Sequence, residues 1–250
     1  MKFIVHTPKT LDLTKKHKTI FWIHGGAFFL YNAKHCSHYA ARLAVMNECI
    51  VVSSWYQSPP EVRAPVYHLQ SYYALKHVLQ KADTYHIDAS RVCMHGESSG
   101  GMLVMAVAME LAKNNESHLI KYVLADVPAC SFEWFRKKRE DLREVEQAVY
   151  TGHKDTFKFV CEDPAKSLDL ANPDPNLFPA EMPDEVMAKV APFYITTREY
   201  DMFRLDSEYV SKRLEQHGKL RELVILPGNC HYWRTKELWD MFKKIHDSNL

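Results

Sequence analysis

Gly96-Glu97-Ser98-Ser99-Gly100-Gly101 is the segment whose residue types and spacing most directly promise chemistry. A serine with glycine two residues away on either side suits a tight turn between a strand and a helix. Such a turn forces the serine backbone into a strained conformation, and glycine at 96 and 100 lets strand and helix pass closely. The hydroxyl is then held out at the end of a sheet, above the positive end of the helix dipole. Ser98 is therefore the expected nucleophile. A phosphate-binding turn would require the Lys-Ser/Thr of a P-loop or GxGxxG spacing, and neither is present. Ser99 opens the helix, which casts it as a backbone donor.

A serine that attacks a carbonyl needs N–H groups aimed at the developing oxyanion. His24-Gly25-Gly26-Ala27 follows an apolar run, and its glycines allow a close approach to the turn. The donors expected are the N–H groups of Gly25, Gly26 and Ser99, with His24 holding the loop by its own hydrogen bonds. Composition cannot choose the base among 14 histidines, so position must. Serine hydrolases built on a parallel sheet carry the chain order Ser, Asp or Glu, His. His231, in Pro227-Gly228-Asn229-Cys230-His231-Tyr232, follows the last apolar run and is the expected base. His217 and His246, at a helix end and within a helix, read as surface residues. The acid expected is Asp201, with Glu199 and Asp206 competing; an aspartate before a helix can also be a simple N-cap. Phe28, Phe29, Tyr31 and Tyr232 flank these residues and either line an apolar pocket or pack in the core.

Elements must bring these segments together. β-branched and aromatic runs at 2–6, 19–23, 49–54, 91–95, 121–126, 193–197 and 222–227 read as strands. Several are almost unbroken apolar runs, as expected when helices cover both faces of a mostly parallel sheet. Helical periodicity falls at 66–82, with Val66, Leu69, Tyr73, Val78, Leu79 and Ala82 as its apolar set. Further helices are expected at 99–113, at 207–217 before Gly218, and at 236–246 with Leu238, Trp239, Phe242 and Ile245 facing the sheet. The connection from 127 to 191 is too long for a plain crossover. It holds Trp134, Phe135, Val145, Val149, Tyr150, Phe157 and Phe159, then a proline-rich return at 172–179. It reads as a helical cap inserted into a core made of 1–126 and 192–250. Loops leaving the carboxyl ends of strands surround the ligand crevice, so this insert is placed to act as a lid.

Composition narrows the classes. The 250 residues suit one large core, with 46% hydrophobic and 25% charged residues. Lys plus Arg number 32 against 31 Asp plus Glu, for a formal charge of +1. A nucleic-acid binder would carry a basic stripe, but the one basic run, 136–139, is followed at once by acids. No run approaches a membrane span or a signal peptide. The six cysteines show no CxxC, and reduced thiols in a cytoplasmic protein are the simpler reading. No metal or cofactor is expected, and oligomeric state is not legible.

Taken together, HGGAF at 24–28, YQSPPE at 56–61, GESSGG at 96–101, REYDMFRLD at 198–206 and GNCHYW at 228–233 resemble the hormone-sensitive-lipase-like esterases of the α/β-hydrolase fold. The resemblance spans roughly residues 19–245. It implies a serine carboxylesterase that works through an acyl-enzyme, on short-chain acyl esters, without a cofactor. It also implies the triad Ser98, Asp201 and His231 and the oxyanion donors Gly25, Gly26 and Ser99. Residues 55–61 read WYQSPPE where the family commonly has DYRLAPE, so a different hydrogen-bond scaffold must hold that segment. Family members also carry more helix before the HGG strand, which leaves the cap here to 127–191. An arylformamidase-like amide hydrolase is the nearest alternative. A non-catalytic receptor or scaffold on the same fold is the other.

Overall fold

The computed structural model describes residues 2–58, 61–131, 133, 137, 139–144, 147, 172–231 and 233–250. The apolar and aromatic residues expected in the cap, Trp134, Phe135, Val145, Val149, Tyr150, Phe157 and Phe159, lie outside the described residues. Seven strands form one sheet: β1 (Lys2–His6), β2 (His17–Ile23), β3 (Ile50–Trp55), β4 (Ile87–Glu97), β5 (Val123–Asp126), β6 (Phe193–Tyr200) and β7 (Leu220–Cys230). Their spatial order is β1-β3-β2-β4-β5-β6-β7. Only the β1–β3 pair is antiparallel; every other neighbour is parallel. The chain is thus an α/β fold with a mostly parallel sheet covered by helices on both faces.

Each apolar strand feeds two cores. In β2, Phe21 and Ile23 point into one with Val52, Met94 and Ala125. Ile20 and Trp22 point into the other with Val51, Cys93 and Leu124. Side chains alternate across a sheet, so an unbroken apolar run is what two buried faces require. Helices α2 (Val66–Gln80), α3 (Ser99–Lys113) and α4 (Arg204–Gln216) contribute to the first core. Helices α1 (Ser37–Asn47) and α5 (Lys236–Asn249) close the second. A single helical turn, Asp184–Met187, precedes β6.

Some sequence expectations need correction. Helix α1 is additional to the expected helices; its Val45 is 65% exposed while Tyr39 and Leu43 are buried. In α2 the expected face is rotated. Val66 and Tyr73 are exposed, and Tyr67, Tyr72, Ala74 and Leu75 are buried instead. The apolar residues alone could not fix that phase because His68 and Ser71 share the inner face. Strands β4, β6 and β7 also run longer than their apolar stretches, because parallel pairing continues through polar residues such as Arg198 and Glu222. No described helix is long and apolar enough to cross a membrane.

His246 is the clearest departure. It is fully buried rather than a surface residue, beside the expected Leu238, Trp239, Phe242 and Ile245 of α5. Its Nδ1 shares a 2.6 Å hydrogen bond with the Tyr122 hydroxyl, and its Nε2 lies 3.2 Å from Nδ1 of His95. His217 is half-buried, against Asp184 at 3.2 Å. Desolvation depresses the buried imidazoles: His24, His68 and His95 fall to about 4, and His246 falls well below the ordinary 6.5.

These four histidines give a stability prediction. Above pH 6.5 both folded and unfolded chains hold them neutral. As pH falls toward about 4, the unfolded chain binds protons that the folded chain refuses. Stability is therefore full above the unfolded value and lost through this window, by up to about 1.4 kcal/mol per pH unit for each group. Thermal melting between pH 7 and 4.5 should show a steep fall in midpoint, and His95→Gln should make it shallower. An unchanged slope in that variant would count against its titration.

Candidate active site

Strand β4 ends at Glu97 and α3 begins at Ser99, so Ser98 alone makes the turn. Its backbone sits at φ 55°, ψ −121°, a region that costs a non-glycine residue about 1–3 kcal/mol. Neighbouring backbones hold it there. A Cβ at Gly96 would lie 2.2 Å from the Gly100 carbonyl oxygen, and one at Gly100 would lie 2.1 Å from that of Ile23. Neither position can carry a side chain. The Ser98 N–H donates to the Asp126 carbonyl at 2.8 Å, and the Ser98 carbonyl accepts from Met102 N–H at 3.0 Å. Sheet and helix thus fix both sides of the peptide that presents the hydroxyl.

The other two members arrive from the carboxyl ends of β6 and β7. His231 Nε2 is 3.0 Å from Ser98 Oγ, and His231 Nδ1 is 2.8 Å from Asp201 Oδ2. A carboxylate can only accept, so Nδ1 carries the proton and Nε2 is left as the acceptor for the serine hydroxyl. This is the tautomer a general base requires. Asp201 is fully buried, and its second oxygen accepts the Phe203 N–H at 2.7 Å. One oxygen thus closes an Asx-type turn ahead of α4 while the other orients the imidazole; Asp201 is not the helix cap, which is Phe203. The Phe203 ring meets the imidazole edge-on at 5.5 Å.

The competing acids are engaged elsewhere. Glu199 Oε2 accepts from Gly228 N–H at 2.7 Å, tying the end of β6 to the turn near the end of β7. Asp206 is buried and accepts the N–H groups of Cys130, Ser131 and Glu133 at 2.8–2.9 Å, which anchors the chain leaving β5. Beneath the site, fully buried Arg198 and Asp126 form a bidentate pair, and Thr196 Oγ1 donates to the same carboxylate at 2.6 Å. Burial works to raise the Asp126 pKa, but the Arg198 charge and hydrogen bonds outweigh it and hold it below the ordinary carboxylate value. This pair locks β5 to β6 directly below the turns that carry Ser98 and Asp201.

The loop after β2 lies against the nucleophile. A Cβ at Gly25 would be 2.8 Å from the Glu97 carbonyl oxygen and 3.2 Å from Ser98 Cβ, so only glycine permits this approach. Ala27 and Phe28 both adopt positive φ, 50° and 71°, in a strained turn. His24 Nδ1 hydrogen-bonds the Gly25 carbonyl at 2.8 Å, and the Tyr56 hydroxyl donates to the His24 carbonyl at 3.0 Å with the two rings stacked at 4.5 Å. The scaffold at 55–61 includes this stack together with Gln57, whose N–H donates to Gln70 Oε1 at 2.8 Å. Pro59 and Pro60 lie outside the described residues.

A cavity of about 840 Å³ opens onto Ser98 and His231. Gly25, Gly26 and Ser99 line it beside Ser98, and Phe28, Phe29 and Tyr31 form part of its wall. Phe28 is buried, whereas Tyr31 is 53% exposed at the rim. Tyr232 lies outside the described residues. The cavity also includes Glu97, Arg234, His38, Cys36 and Met202, none of which the spacing of motifs singled out for the site. One local signal existed: a glutamate beside the nucleophile, at the end of a buried strand, demands a counter-charge. It does not say where in the chain that partner lies.

Comparison with known proteins finds the same fold. The hyperthermophilic esterase from the archaeon Pyrobaculum calidifontis superposes with a TM-score of 0.78 at 23% identity, covering 94% of this chain and 76% of that one. Carboxyl esterase 2 of the fungus Tuber melanosporum gives 0.81 at 19% identity, covering 98% and 80%. A thermophilic carboxylesterase cloned from a metagenomic library gives 0.80 at 21%, covering 98% and 82%. At these identities the likeness is one of fold. A family model described as alpha/beta hydrolase fold matches residues 20–235, nearly the whole sheet and all three members of the relay, and the chain belongs to that family.

Proposed function

We propose that this chain is a serine carboxylesterase of the hormone-sensitive-lipase-like branch, acting on short-chain acyl esters through an acyl-enzyme on Ser98. The observation that carries the reading is the continuous relay from Asp201 Oδ2 through His231 to Ser98 Oγ, opening into a cavity with aromatic walls. In the forward step His231 Nε2 takes the Ser98 proton as Oγ bonds to the ester carbonyl carbon. The oxyanion is met by the N–H groups of Gly25, Gly26 and Ser99. The last of these is the first N–H of α3, which no turn of its own helix can satisfy. The imidazolium then protonates the departing alcohol, and water repeats the sequence on the acyl-enzyme. Asp201 stabilises the imidazolium and keeps its ring oriented.

Residues 127–191 are read as a cap over this cavity, anchored at its start where Asp206 receives three N–H groups. The five described cysteines are all free, which supports a reducing, cytoplasmic setting.

Two measurements test the reading. Ser98→Ala should abolish the burst and turnover of p-nitrophenyl butyrate and prevent labelling by a fluorophosphonate, while melting as the wild type does. A folded wild type that resists the probe would instead favour a non-catalytic scaffold. Faster turnover of N-formylkynurenine than of butyrate esters would move the substrate to an activated formamide. Asp201→Asn should keep the fold, since its amide oxygen can still accept from Phe203, yet lower kcat by about 10⁴ because the wrong tautomer is favoured. A loss below tenfold would mean that Asp201 does not orient the base.

A further inference from the structure

Glu97 and Arg234 are not needed for any step above, yet they meet at the centre of the site. Glu97 is 8% exposed, and its Oε2 takes Nη2 of Arg234 at 2.5 Å, across 137 residues of chain. The other terminal nitrogen of the same guanidinium, Nη1, donates to the main-chain carbonyl of His231 at 3.2 Å. Its Cζ lies over the Tyr39 ring, 5.5 Å from the centroid. Tyr39 is itself stacked on Trp22 at 5.1 Å and packed against Trp239 at 4.7 Å, so the surface behind the guanidinium is rigid core. Burial pushes the Glu97 carboxyl up despite the facing cation. Burial also acts to lower Arg234, but the charge of Glu97 overrides it and raises the guanidinium.

The chain needs such a fastening here. β7 is half-exposed to exposed along its length and pairs with β6 on one side only. Its last register partner is Cys230 opposite Tyr200, after an irregularity in the ladder. His231 is the next residue. We infer that the Glu97–Arg234 pair is a positioning clamp, pinning the main chain of His231 to the elbow that carries Ser98 and so setting the distance between imidazole and hydroxyl. The inference rests on the hydrolase reading. Glu97 is bonded directly to Ser98, and Arg234 follows His231 by three residues, so the ion pair joins the two halves of the relay by the shortest covalent routes. A guanidinium suits the task because its two terminal nitrogens reach two acceptors while its charge lies over an aromatic ring; an ammonium is a single point charge.

The test is kinetic and uses the full chain with p-nitrophenyl butyrate. Arg234→Lys should lower kcat about 10- to 100-fold with KM within about twofold, since displacement of a reacting group by ~1 Å costs on that order. Glu97→Gln, which keeps size and an acceptor oxygen, should fold and show the same split in milder form. Arg234→Ala should regain part of its kcat with ethylguanidinium and none with ethylammonium. A merely structural role would move the melting point without this selective rescue, and a substrate-binding role would appear in KM. Wild-type kcat in both folded single variants, a loss carried by KM, or failure of guanidinium rescue would overturn the clamp alone. A wild type that neither turns over ester nor takes up the fluorophosphonate would remove the hydrolase reading and the clamp with it.

Discussion

The backbones of β4 and α3 pass each other at Gly96 and Gly100 with no room for a single carbon between them, and the third segment touched there is the end of β2. This close passage forces Ser98 into its left-handed conformation and draws the loop containing Gly25 against the elbow. The strain at Ser98 is tolerable because the surrounding structure over-determines it. The Ser98 N–H is bonded to β5, its carbonyl to α3, and the helix behind it is buried on nearly every side. A local cost of a few kcal/mol is offset by core contacts spread over two strands and a helix. A hydroxyl displayed in this way has few alternative positions, which is what an attacking group needs.

The remaining architecture can be understood as keeping three strand ends in register with that point. Parallel pairing from β4 through β7 aligns the carboxyl ends at which Ser98, Asp201 and His231 emerge. Charged residues then fasten those ends where apolar packing stops. Arg198 and Asp126 bind β6 to β5, Glu199 ties the end of β6 to the turn at Gly228, and Arg234 joins the histidine segment to Glu97. Removing one partner of a buried pair such as Arg198–Asp126 costs about 3–5 kcal/mol, so these contacts are costly to break even where their net contribution is small. What they add is direction, which non-directional apolar burial cannot supply.

The distribution of histidines follows the same division. His231 sits where a carboxylate and a hydroxyl occupy its two nitrogens. His95 and His246 are fully buried beside Phe242, partnered with each other and with Tyr122. Burial, with neighbouring positive charge adding to it, pushes their protonation out of the neutral range, so they contribute packing at neutral pH and a penalty in acid. Identical side chains thus become base or core element according to what lies within 3 Å.

Much of this was legible in the residues alone. The elbow, the HGG loop and the order Ser, Asp, His are local patterns with steric causes, and a glycine forced by backbone contact leaves its mark in sequence. Apolar runs announced inner strands such as β2 for a similar reason: two buried faces leave little room for polar residues. The residues put Asp201 first but left Glu199 and Asp206 competing, since all three are acids within one short segment and differ only in where the turn aims them; the 2.8 Å contact with His231 decides for Asp201. The residues could not reveal the phase of α2, where polar His68 and Ser71 are buried, or the burial of His246. The Arg198–Asp126 and Glu97–Arg234 pairs were equally hidden. Such pairings are decided when distant segments are brought side by side, because an ion pair carries no periodicity and no spacing. Sequence fixes what each group is able to do; the packing of the sheet fixes which group it does it to.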